Sequence, residues 1–116
     1  MPAASPEAIL VLTTCASLLE GETIAKHLLA EKLIACATLG SHMHSYYAWK
    51  GQEQDATEYP LQFKTLRDYY PAVEAVIRKL HSYENPEIVA IPIIAASQAF
   101  LQWIADSLGP APSAQI

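Results

Sequence analysis

The chain has 116 residues, 52% hydrophobic and 16% charged, with seven Lys and Arg against twelve Asp and Glu and a formal net charge of −5. That length supports a single domain whose core needs no disulfide staples, and apolar content this high excludes intrinsic disorder away from the ends. An acidic balance without a basic cluster excludes a nucleic-acid surface.

The opening stretch Met1–Glu7 has no basic region, and the apolar run from Ala8 to Leu12 is too short for a signal core or a membrane span. The expectation is a soluble, cytoplasmic protein with no membrane partner. Cys15 and Cys36 form neither a CxxC pair nor a disulfide framework, so both are expected as buried free thiols, with Cys36 mainly core.

Ala8 to Thr14 is a continuous apolar run of strand length. Ser17 followed by Glu20 is a capping-box signature, and Ile24, Ala25, Leu28 and Leu29 supply a helical stripe, so a helix is expected from Leu18 to Lys32. Leu33 to Leu39 is a second apolar run; Gly40-Ser41 interrupts it before His42 to Trp49 continues, which reads as one long or bent strand with a glycine kink. The polar stretch Lys50–Asp55 is the expected turn into a strand from Glu58 to Thr65, where Pro60 should shorten the pairing. On that strand Leu61, Phe63 and Thr65 share one face, and Glu58, Gln62 and Lys64 share the other.

Asp68 is the expected N-cap of a second helix, with Pro71 in its first turn and Val73, Val76, Ile77 and Leu80 on one face. Ile88 to Ile94 reads as a strand in which Pro92 demands an edge position. Ser97 caps a last helix with Phe100, Leu101, Ile104 and Leu108 as its apolar stripe, and Gly109-Pro110 ends it. Residues 1–7 and 109–116 are expected to be flexible, leaving 8–108 as the domain. Strand, helix, strand, strand, helix, strand and a terminal helix make an α+β, ferredoxin-like split βαβ fold: an antiparallel sheet with its second and fourth strands at the edges.

Chemistry concentrates at His81-Ser82-Tyr83-Glu84-Asn85-Pro86-Glu87, a polar break between the second helix and the last strand. The plain reading is a solvated corner whose histidine caps the helix C-terminus. His42 and His44 fall on one strand face but have no nearby Cys, Asp or Glu at ligand spacing, which points to an exposed face rather than a metal site. Glu58 and Lys64 are about 20 Å apart at strand rise, so each needs another partner. No nucleophile motif, HExxH, phosphate-binding glycine loop or dinucleotide fingerprint is present, so an enzyme is not expected.

One family resembles this pattern: Glu31-Lys32-Leu33-Ile34-Ala35-Cys36, then Ser45, Tyr47, Trp49 and Gly51, then Glu58 with Lys64-Thr65, then His81, Tyr83, Pro86-Glu87, Pro92, Leu101 and Trp103-Ile104 are similar in order and spacing to the CutA family, named for divalent-cation tolerance. The resemblance implies a ferredoxin-like subunit in a homotrimer, its long second and third strands reaching toward neighbours, and an architecture similar to PII signalling proteins. It implies a role in divalent metal ion (copper) tolerance, with ligand-binding residues Trp49, Glu58, Lys64, His81, Tyr83 and Glu87 at subunit interfaces. Departing from the family pattern, this chain would hold a copper or other divalent cation through His81 and Cys15, with the non-family pair His42 and His44 as the remaining donors. Thr13 stands where copper-implicated members tend to carry cysteine, so weak copper binding is expected, with Cys15 lying in the following turn. The alternative is a PII-like module binding a small anionic metabolite near Lys64, Trp49, His81 and Tyr83; an acylphosphatase-like enzyme is third, because Thr13–Ser17 lacks the arginine it needs. Lys64→Ala and His81→Ala are both expected to leave melting unchanged. The aromatic hairpin surface of Tyr46, Tyr47, Trp49 and Tyr59 also favours a closed trimer.

Overall fold

A computed structural model of the chain describes residues 7–112. The elements are β1 (Ala8–Cys15), α1 (Leu18–Ala30), β2 (Cys36–Leu39), β3 (Met43–Trp49), β4 (Gln52–Leu66), a 3-10 turn (Arg67–Tyr69), α2 (Tyr70–Leu80), β5 (Val89–Pro92) and α3 (Gln98–Ser107). This is an α+β fold on an antiparallel sheet in the order β2-β4-β1-β5, with β3 paired to the far half of β4.

Alternation along β4 separates the two sheet faces. Leu61, Phe63 and Thr65 are fully buried, whereas Gln62 is exposed and Lys64 half-buried. The register sets Thr13 opposite Leu61 and Val11 opposite Phe63, which extends the buried face onto β1. Ile24 and Leu28 of α1 and Val73 and Ile77 of α2 complete that core. Each side chain of this size contributes roughly 1.5–3 kcal/mol when buried. Terminal α3 packs separately, through Ile104 and Leu101, against Ala8, Ala35 and Leu66. Much of the remaining face of β1 and β5 carries no helix: Val89 and Ile91 are exposed beside half-buried Leu12 and Leu10.

The expected long bent strand is two strands. Both β2 and β3 pair with β4, and the chain leaves the ladder between them at 40–42. Pro60 lies opposite Thr14 inside β4 and does not shorten it. Its carbonyl accepts the Gly40 N–H at 2.9 Å. The missing N–H of Pro60 points to the same side, toward the β2–β3 break, where the lost donor matters least. A Cβ on Gly40 would stand 2.8 Å from the Pro60 ring, so the approach requires glycine.

The expected turn from Lys50 to Asp55 is mostly strand. Lys50 and Gly51 alone make the turn, with φ of 53° and 78°, and Trp49 pairs directly with Gln52. Successive positive φ values are the signature of a tight hairpin turn matched to strand twist. Gln52 to Asp55 reads as loop in sequence because both of its faces are exposed, which leaves no apolar alternation to detect. The 15 residues of β4 account for the 53 Å long axis.

Helix ends also depart from expectation. Asp68 does not cap α2: it lies in the 3-10 turn, and the capping position is Tyr69, held instead by burial of its ring and donation of its hydroxyl to the Gly109 carbonyl. Ser17 does cap α1, accepting the Glu20 N–H at 3.1 Å. That helix ends at Ala30 because Lys32 turns left-handed at φ 57°. The N–H groups of Lys32 and Leu33 then bond back to the carbonyls of Leu29 and Leu28, the pairing of a Schellman motif. At the ends of the domain, Glu7 accepts the Arg67 N–H at 2.8 Å and Gly109 donates to Lys32 at 3.0 Å. Residues 1–6 and 113–116 of the expected flexible ends lie outside the described residues.

Lysine in the left-handed region costs roughly 1 kcal/mol that glycine does not incur. Lys32→Gly is therefore expected to raise stability by about 0.5–1 kcal/mol. A denaturant midpoint at or below wild type would show that the lysine side chain contributes more than its backbone strain costs.

Candidate functional site

The site grows from an unfinished strand pair. Carbonyls alternate sides along a strand. The Ala8 carbonyl accepts Ile93 N–H on the β5 side, so the Thr14 carbonyl faces the same way. Pairing with β5 stops at Leu12 opposite Val89, which leaves Thr14 without a ladder partner. His81 fills the place: its Nε2 lies 2.6 Å from the Thr14 oxygen. Its Nδ1 accepts the Tyr83 N–H at 3.1 Å, so the proton sits on Nε2, which donates to Thr14. The His81 side chain is fully buried, and the ring of Tyr83 lies 4.8 Å from it.

His81 is thus not a solvated cap. Only its backbone N–H caps α2, on the Ile77 carbonyl, while its ring joins the corner loop to β1. Removing the ring takes the donor from a part-buried carbonyl, so His81→Ala is expected to lower the melting temperature rather than leave it almost unchanged.

Two clusters flank the end of β1. On the helix side, Cys15, Glu20 and His81 bring their ligand atoms within 4.8 Å of one another. Cys15 is the last residue of β1, fully buried opposite Tyr59, and not part of a turn. Burial first, then the neighbouring Glu20 and Glu58 carboxylates, push its thiol up to about 12. Glu20 accepts Ala16 N–H at 3.2 Å on Oε1 and Ser82 N–H at 2.9 Å on Oε2, tying the start of α1 to the corner loop. Its Oε1 stands 4.0 Å from His81 Nδ1.

On the other side, buried Glu58 accepts the Tyr83 hydroxyl at 2.8 Å and the Thr14 hydroxyl at 3.1 Å, both on Oε2. Burial and then the Glu58 bond raise the Tyr83 phenol above its ordinary range. A cleft of about 610 Å³ opens here, walled by Tyr47 and Trp49 of β3 and by Thr14, Glu58, Tyr83 and Glu87.

The fold therefore brings Cys15, Glu58, His81 and Tyr83 to one corner and sets Trp49 and Glu87 on the adjoining cleft. Lys64 stands apart, opposite Leu10 on one side and Cys36 on the other, on the sheet face away from α1 and α2. Cys36 shares that face and is half-buried rather than core. His42 and His44 are exposed, with Tyr59 and Tyr46 as ring neighbours. Sequence reasoning missed Glu20 and Thr14 as site residues. The capping box was the available signal for Glu20, since it fixes a carboxylate just beyond the end of β1.

Two outcomes follow from this geometry. His81→Ala is expected to cost about 1–3 kcal/mol, because it removes a fully buried ring together with its hydrogen bonds to Thr14 and Tyr83, whereas Lys64→Ala should stay near wild type; equal melting of both would contradict the wedge role. Cys15 and Tyr83 have folded-state pKa values above their ordinary ones, so the unfolded chain releases their protons first as pH rises. The Cys15 contribution is fully present below about pH 9 and is lost between there and about pH 12, and that of Tyr83 begins to be lost only above about pH 10. Denaturation across that range should give a Cys15→Ser variant a shallower alkaline decline, by about one proton; identical slopes would refute the assignment.

Comparison with known proteins agrees with this architecture. The family model described as CutA1 divalent ion tolerance protein matches residues 9–107. The divalent-cation tolerance protein CutA of Thermus thermophilus is 35% identical over 99 residues, covering 85% of this chain and 96% of that protein. Its counterpart in Archaeoglobus fulgidus is 37% identical over 98 residues, covering 84% and 95%. Among solved structures, CutA1 from Shewanella sp. SIB1 superposes with a TM-score of 0.86 at 37% identity, covering 90% of this chain and 98% of the other. CutA1 from Oryza sativa gives a TM-score of 0.88 at 28% identity, covering 93% and 99%. With its sequence matched across nearly the whole domain and its fold superposed, the chain belongs to the CutA1 divalent ion tolerance family.

Proposed function

We propose that this protein serves divalent-cation tolerance by binding a thiophilic divalent cation, copper or zinc, at Cys15, Glu20 and His81, and that it works as a homotrimer. The supporting observation is the convergence of those three donors within 4.8 Å at the end of β1. A thiol, an imidazole and a carboxylate form a donor set suited to zinc and copper rather than magnesium or calcium. Each donor has a prior engagement: the thiol keeps its proton, Nδ1 holds the Tyr83 N–H, and Glu20 holds Ala16 and Ser82. Displacing these contacts draws on the binding free energy, so the expected affinity is modest. The cation would supply charge and coordination only; binding rather than catalysis is the proposed role.

The helix-free sheet face supports the trimer. Exposed Val89 and Ile91 adjoin Leu10 and Leu12, an apolar strip beside Lys64 that a soluble monomer would leave wet. The alternative, a small anionic metabolite, lacks support from the cleft. Glu58, Glu84 and Glu87 line it, and no lysine or arginine does among the described residues.

Cobalt(II), a spectroscopic substitute for zinc, tests the metal reading. Wild type and His42→Ala/His44→Ala should show a thiolate-to-metal charge-transfer band that Cys15→Ser lacks, and Glu20→Gln should weaken binding. A band surviving in Cys15→Ser, or lost with the exposed histidines, would move the metal elsewhere. Sedimentation at micromolar concentration is expected to give three subunits; a stable monomer would remove the trimer.

A further inference from the structure

We infer, resting on the metal reading above, that the loop after His81 is a metal-operated switch: a cation at Cys15, Glu20 and His81 is exchanged against the strut that Tyr83 forms between His81 and Glu58. The histidine offers only one nitrogen. Its ring is fully buried and Nε2 is bound to the Thr14 carbonyl at 2.6 Å. Nδ1 is therefore the atom left for a ligand, in the way that ligating histidines are held through their other nitrogen. A neutral imidazole acceptor has one lone pair, and here it takes the Tyr83 N–H at 3.1 Å. That spacing leaves no room for an ion, which sits about 2 Å from an imidazole nitrogen. Because the ring is pinned, the amide is the group that gives way.

The neighbouring contacts fix where the movement starts and where it leads. Glu20 takes the Ala16 N–H on Oε1 and the Ser82 N–H on Oε2. Two carboxylate oxygens have lone pairs enough to keep both donors and still coordinate. Ser82 thus stays fastened to the start of α1, and the chain pivots just after it. The far end of Tyr83 is fastened as well, its hydroxyl donating to Glu58 Oε2 at 2.8 Å, and Glu58 is held in the β4 ladder opposite Met43. Displacing the amide therefore loads the phenol bond. All of these contacts lie within one subunit, so the device does not depend on what covers the corner. Its output end is the β3–β4 pair, which the trimer reading sets against a neighbour.

Cutting the strut should favour the cation, because the two compete for one arrangement of the loop. Cobalt(II) titration of the full chain in its native assembly, read from the thiolate band, is expected to show Tyr83→Phe binding about threefold to tenfold tighter than wild type, the change one hydrogen bond supplies. A merely structural hydroxyl predicts the opposite sign, since a loosened corner would scatter the donors. In isotopically labelled wild type, zinc(II) should abolish the through-hydrogen-bond coupling between the Tyr83 nitrogen and His81 Nδ1. It should also shift the carbon resonances of the Tyr83 phenol and the Glu58 carboxylate together. If Tyr83→Phe fails to fold, the zinc measurement decides alone. Equal or weaker cobalt binding by Tyr83→Phe, or phenol and carboxylate resonances that stay in place on zinc loading, would overturn the switch and leave the metal site standing. A coupling that survives in zinc-loaded protein would overturn the switch by keeping the amide on Nδ1, and a wild type without a thiolate band would overturn switch and metal site together.

Discussion

The bond from His81 Nε2 to the Thr14 carbonyl is the constraint on which the functional corner depends. β5 is only four residues long and leaves the last stretch of β1 without an edge partner. The chain supplies that part-buried carbonyl with a side-chain donor in place of a backbone one. Because the imidazole must present Nε2 to the strand, Nδ1 turns toward the loop and accepts Tyr83 N–H. One ring thus closes the sheet and fixes the loop that follows.

From that wedge the surrounding chemistry is laid out by strand geometry. Thr14 and Cys15 are adjacent, so their side chains leave β1 on opposite faces. Cys15 meets Glu20 and His81 under the helices, and Thr14 meets Glu58 and Tyr83 beside the cleft. Tyr83 belongs to both arrangements, through its N–H on one side and its hydroxyl on the other. A ligand that takes Nδ1 of His81 must release the Tyr83 amide.

The length of β4 carries the second half of the site. Its first residues pair with β3, beyond the sheet core, and this hairpin carries the aromatic wall formed by Tyr47 and Trp49. The tight Lys50-Gly51 turn keeps the hairpin in register, and the break near Gly40 lets β3 continue along β4 where β2 has ended. Pro60 sits where that break makes its missing donor harmless. The same strand therefore packs the core with Leu61, Phe63 and Thr65 and presents Glu58 to the cleft.

Periodicity and punctuation in the sequence were enough for the order of elements, the antiparallel ferredoxin-like sheet, the edge position of Pro92 and the Ser17 and Ser97 caps, because these are local signals with a fixed period or a fixed turn chemistry. The ordered similarity of motifs was enough for the family. Gln52–Asp55 escaped because a strand exposed on both faces has no alternation, and the end of α1 was displaced because a left-handed lysine carries no mark in sequence. His81 could be singled out as a polar residue at a break, but not as a buried wedge, since that role exists only where β5 falls short of Thr14. Glu20 reads locally as a capping residue; its place beside Cys15 and His81 depends on residues 62 positions away in the chain. Lys64 and Glu58 share strand parity, yet only the packing of the corner loop brings Tyr83 to Glu58 and leaves Lys64 apart. Sequence alone determined which segments form strands and helices, because local spacing controls those; tertiary structure decided which polar groups meet, because those encounters are set by where strands end.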